Sequence, residues 1–147
     1  MLSAGVLAPL QNKEMNVVLD VGGDDVGARV LAYYREYFTP ESCDLLFVVN
    51  AYREFTQDVE SAFSYLRKIE DTIGFPVTGL ISNAHLLRDT SAEDIEYGYR
   101  MTEELAKRSG VPVRYYAGIK KALDGVAADG KQGEPFEIGM HLRTRWQ

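Results

Sequence analysis

Asp20 closes the short apolar run Val17-Val18-Leu19, and Gly22 and Gly23 follow before a helical pattern begins. A carboxylate at the carboxyl end of a buried strand stands where open parallel sheets build a ligand crevice. From there it could hold a magnesium ion through water, since that ion gives up its hydration shell reluctantly. The glycine pair would let a backbone N–H approach a terminal phosphate closely. The same residues also suit a tight strand-to-helix turn with a capping carboxylate, because Asp and Gly favour turns for local reasons. Asn83 follows a second apolar stretch, Val77 to Ser82. Its carboxamide can offer a donor and an acceptor to a purine edge, or it can simply close a turn. Asn50 stands alike after Leu45 to Val49, and Arg53 beyond it is either an anion contact or a surface arginine.

Other chemistry is set aside on spacing. Gly22 to Gly27 has half of a phosphate-loop pattern, but Ala28 and Arg29 occupy the positions that need Lys and Ser or Thr, and Asp24 and Asp25 would repel phosphate. His85 and His141 are far apart and lack companion ligands, which argues against a metal site. The single Cys43 excludes an internal disulfide, has no evident base beside it, and reads as a small buried hydrophobe. The nine tyrosines receive no chemical role.

The elements that must position these residues follow from periodicity. Asn16 to Val21 reads as a first strand. Asp24 and Asp25 can cap a helix whose inner face is Val26, Val30, Tyr34 and Tyr37. Leu45 to Val49 is a second strand, followed by an amphipathic helix on Val59, Ala62, Phe63, Leu66, Ile69 and Ile73 that stops at Gly74 and Pro76. Val77 to Ser82 is a third strand. Thr90 to Glu93 reads as a capping box opening a helix to about Arg108, with Ile95, Gly98, Met101, Thr102 and Leu105 inward. Val113 to Ala117 is a fourth strand, Ile119 to Ala127 a short helix, and Phe136 to Ile138 an edge strand. Leu2 to Asn12 suggests a weak initial helix. This alternation predicts one α/β domain over residues 1–147 with a mainly parallel sheet, right-handed crossovers and helices on both faces. Residues 1–15 read as an extension, 16–127 as the core and 128–147 as a connector and tail.

The bulk numbers bound the function. A chain of 147 residues with a net charge of -6 lacks the positive footprint of a nucleic-acid binder. No stretch approaches the roughly 20 apolar residues of a membrane span, so a cytoplasmic protein is expected.

Val17 to Gly23, Leu45 to Val49 and the run Val77-Thr78-Gly79-Leu80-Ile81-Ser82-Asn83 together resemble the second half of the CobQ/CobB/MinD/ParA group of P-loop ATPases. The resemblance spans about residues 16–127. It implies a three-layer, P-loop-like fold, ATP or ADP with magnesium, Asp20 at the metal through water, Gly22 and Gly23 at phosphate, Asn83 at adenine and Gly118 near the base. Nothing before Asn16 matches the lysine-bearing phosphate loop of that group. The chain therefore looks N-terminally truncated relative to the group and is expected not to hydrolyse ATP efficiently alone; the alternative is that it binds no nucleotide. A sheet lacking its first strand is expected to self-associate or to bind a partner protein. The alternatives are a non-catalytic interaction domain on the same fold and, more weakly, a receiver-like or flavodoxin-like domain.

Overall fold

The computed structural model of the chain describes residues 4–139. His141 and the tail lie outside them. The elements are α1 (Ala4–Gln11), α2 (Asp25–Tyr33), β1 (Leu46–Val49), α3 (Val59–Ile73), β2 (Gly79–Ser82), α4 (Ala92–Ser109), β3 (Val113–Gly118), α5 (Lys120–Leu123) and β4 (Glu134–Glu137). The fold is α/β with a four-stranded, all-parallel sheet in the order β1-β2-β3-β4. Contacts divide the chain into two compact units, residues 4–44 with 67–76 and residues 45–66 with 77–139.

The second unit holds the sheet. Val49 pairs with Ser82, and Ser82 with Tyr116. Side chains alternate along each strand, so Phe47, Val49, Leu80, Ser82 and Tyr116 share one face. Helices α3 and α4 cover that face: Tyr65 of α3 meets the Phe47 ring at 6.2 Å, and Tyr99 of α4 meets Tyr116 edge-on at 5.6 Å. Strands taken in sequence order with crossovers of one hand put successive helices on the same side. Leu66, Leu80 and Leu105 are fully buried there, each contributing about 1.5–3 kcal/mol of transfer free energy. Gly98 lets α4 approach closely, since a Cβ on it would overlap the Ala84 methyl. On the opposite face Leu46 and Val48 are exposed, as is Phe136 of β4. The order never reverses, so these strands contain no switch point of the kind that opens a crevice between diverging helices.

The first unit packs α2 and the latter half of α3 around aromatic residues. Phe38 meets Phe75 edge-on at 6.2 Å. The Arg35 guanidinium lies 5.1 Å from the Phe75 ring centre and donates to the Gly74 carbonyl at 2.6 Å and the Phe38 carbonyl at 2.7 Å. Gly74 and Gly110 end α3 and α4 in the left-handed conformation, at φ of 69° and 76°, which glycine adopts without a Cβ penalty.

Several expectations need correction. Asn16 to Val21 is not a strand; it forms no ladder, and Val18 is 93% exposed. The inner face of α2 is Gly27, Ala28 and Leu31, continued by Tyr34, while Val26 and Val30 point outward. The capping box sits one residue later than predicted, on Ser91 and Asp94, because the Thr90 hydroxyl is engaged with Leu86 N–H and Leu87 C=O at 2.8 Å each. Helix α5 is shorter than expected, giving way to a turn at Asp124.

Candidate functional site

Asn50, Asn83 and Gly118 each stand at the carboxyl end of one of three neighbouring parallel strands. This is the group of predicted site residues that the structure brings together.

Their chemistry differs. The Asn50 side chain accepts from the Tyr52 N–H at 3.0 Å. Its backbone is held by Thr56, whose hydroxyl accepts from Asn50 N–H at 3.3 Å and donates to Asn50 C=O at 2.8 Å. Asn50 thus closes a turn, the plainer of its two readings. Gly118 is buried, and a Cβ there would overlap Ile95 and crowd Leu123, so helix-to-strand packing accounts for it. Asn83 is different. Its backbone N–H donates to the Val49 carbonyl at 2.8 Å, but its Oδ1 is buried without a hydrogen-bond partner, as is the neighbouring Ser82 Oγ. Buried acceptors normally have partners, and an unmet one costs about 1–3 kcal/mol. Ser82 is 1% exposed, and sequence reasoning passed over it because a lone serine in an apolar run carries no motif.

Asp20, Gly22 and Gly23 belong to the other unit. Asp20 is exposed in an irregular segment. The Gly22 carbonyl lies against α2 so closely that a Cβ on Gly27 would overlap it, whereas a Cβ on Gly23 would meet nothing within 4 Å. Asp24 caps α2, its Oδ1 accepting from Gly27 N–H at 2.7 Å. Asp25 pairs with Lys68 at 2.8 Å, and this hydrogen bond holds its carboxyl below the ordinary value. Among the described residues no three His, Cys, Asp or Glu side chains group as metal ligands. Magnesium keeps most of its water ligands, so one exposed carboxylate binds it weakly and phosphate oxygens would have to add the affinity.

The remaining candidates have structural partners or surface positions. His85 Nδ1 lies 3.3 Å from the Thr90 hydroxyl. Burial pushes the Cys43 thiol up, away from the thiolate that a nucleophile needs. Arg53 is exposed. Lys120, the late lysine that a receiver-like site would want, is paired with Asp124 at 3.0 Å.

Two features had no signal strong enough to find. The Tyr52 hydroxyl donates to Asp94, which pushes the phenol up to about 12 and holds Asp94 down; Tyr52 also lies against Tyr97 at 6.1 Å. A groove of about 380 Å³ opens between the Arg88–Ala92 turn and Lys121–Ala122. The segments leaving β2 and β3 form it, so it lies at the same end of the sheet as Asn83 and Gly118. Arg88 and Lys121 supply positive charge, offset by Asp89, and the capping box already occupies the first amides of α4.

No protein-family model, no curated protein and no solved structure matches the chain. No helix among the described residues is long and apolar enough to cross a membrane.

Proposed function

We propose that the carboxyl ends of β2 and β3 receive the base of a purine nucleotide, with the Asn83 carboxamide as its reader, on a three-layer fold of the MinD/ParA kind. The observation that supports this reading is the buried Asn83 Oδ1, an acceptor with no donor at a strand end. The exocyclic amine of adenine is such a donor, and binding it would remove the cost of the unmet acceptor. ATP or ADP is the nucleotide that the family resemblance implies. The roles of Asp20 at magnesium and of Gly22 and Gly23 at phosphate rest on that resemblance alone. Phosphoryl transfer depends almost wholly on positioning and on charge stabilisation. The run with that spacing of glycines and lysine, Gly125 to Lys131, has Gln132 in place of Ser or Thr and leads from α5 into β4 rather than from a strand into a helix, so the reading is binding without efficient hydrolysis by this chain.

A second reading is a non-catalytic interaction domain. Exposed Leu46 and Val48 on a parallel strand favour it, since parallel sheets are ordinarily covered on both faces.

Calorimetric titration with adenosine, ADP and ATP, with and without magnesium, separates the two. The first reading expects adenosine to bind, and Asn83→Ala to weaken it about tenfold or more, the order of one lost hydrogen bond, with the fold intact by circular dichroism. Absence of binding by all three ligands, or binding indifferent to Asn83→Ala, overturns it and leaves the interaction domain.

A further inference from the structure

The two edges of the sheet are built differently. At the β4 edge, Pro135 lacks an N–H and Glu134 and Glu137 flank it with charge, which are the devices that keep an edge from pairing. The β1 edge, Leu46-Phe47-Val48-Val49, carries no charge and no proline. The Leu45 and Val49 carbonyls accept from Thr78 and Asn83 on the β2 side, at 2.8 Å each. Backbone direction alternates along a strand, so Leu46 and Val48 turn their N–H and C=O to the outer edge. Thr56 closes that edge after Val49 by engaging both backbone groups of Asn50. Apolar side chains flank these groups on both faces. Leu46 and Val48 are 37% and 51% exposed on one; on the other, Phe55 is 56% exposed and stacks on Tyr65 at 5.1 Å, next to Phe47.

We infer that the β1 edge is the interface between two copies of this chain, joined antiparallel about a two-fold axis at Phe47 into one continuous sheet. In that register Leu46 lies opposite Val48 of the second copy, and each such pair exchanges both N–H···O=C bonds. The pairing is self-complementary, as a two-fold interface must be. No like charges meet, because Asp44 falls across from Asn50. For molecules that each carry a net charge of -6, an uncharged edge is where close approach meets least repulsion.

Sedimentation velocity tests the assembly, and amide hydrogen exchange tests the register. The wild type is expected to sediment at twice the mass of one chain, with Leu46 and Val48 amides exchanging about tenfold or more slowly once dimeric. Val48→Lys is expected to raise the dissociation constant about a hundredfold or more, as edge lysines do their protective work. Phe55→Ala should weaken the dimer less, and Phe136→Lys, at the other edge, should leave it unchanged. Circular dichroism checks that each variant folds. A monomer at every concentration overturns the inference, whether its Leu46 and Val48 amides exchange freely or are covered by another segment. A dimer that survives Val48→Lys overturns it too, since the contact then lies elsewhere.

Discussion

Two stretches of this chain look alike on paper. Asn16 to Val21 and Leu45 to Asn50 are both short and mostly β-branched or apolar, and each places a polar residue, Asp20 or Asn50, at or near its end. The second becomes β1, with Val49 1% exposed and paired to Ser82. The first forms no ladder and leaves Val18 93% exposed. Their composition does not separate them. What separates them is that a strand exists only in relation to a partner, and strand propensity measures fit to a pleated, half-buried surface. The β1 stretch has β2 at one crossover's distance and α3 over its face.

The sharpest way to break this contrast is to truncate each run. Val49→Ala is expected to cost about 2 kcal/mol, from lost burial plus a residual cavity, while Val18→Ala should stay within about 0.5 kcal/mol, as surface changes do. Denaturant midpoints measure both, and equal losses would mean that the first run is buried after all. Next come two glycines, Gly23 after the first run and Gly118 at the end of β3. Gly118→Ala drives a methyl into Ile95 and should cost about 1–3 kcal/mol, whereas Gly23→Ala meets nothing within 4 Å and should be close to neutral.

The helices after the two runs should behave alike. Asp24 accepts from Gly27 N–H at 2.7 Å, and Asp58 from Ser61 N–H at 2.8 Å. Asp24→Ala and Asp58→Ala should lower the denaturant midpoint by similar amounts, so a large asymmetry would show that one cap carries more than its hydrogen bond. The smallest effect concerns Tyr52, whose hydroxyl holds the Asp94 carboxyl below its ordinary value, with Ser91 assisting. A depressed carboxylate adds stability that is present above its unfolded pKa and is lost as pH falls through the folded one. Tyr52→Phe should therefore raise the Asp94 pKa, read by carbon NMR of the carboxyl, and move the acid limb of the stability curve upward. Ser91 should keep the value from returning fully to normal.

Much of the architecture was legible because it is written in local patterns. Ala62, Leu66, Ile69 and Ile73 recur at helical spacing and are buried as a set; Gly74 stops its helix where expected; three of the apolar runs are strands. The errors share one cause. The strand at Asn16 to Val21, the inward Val26 and Val30, and the capping box set on Thr90 each needed knowledge of a non-local or competing partner. The site divides in the same way. Asn83 was found from its place after an apolar run, whereas the unmet acceptor on it and the Ser82 hydroxyl beside it depend on what surrounds them. The Tyr52 to Asp94 contact joins residues 42 positions apart, beyond the reach of any local pattern.

The strand order β1-β2-β3-β4 has a consequence for how the chain is made. Each strand pairs with the one that follows it in sequence, across a single crossover. Among the described residues no pairing in this sheet waits for a distant part of the chain, so loop closure never has to bring remote segments together at once. As synthesis proceeds from the amino end, the sheet can grow one strand at a time in the order of translation. At each stage it presents a growing edge to the next strand, until Glu134-Pro135 arrives and ends the growth.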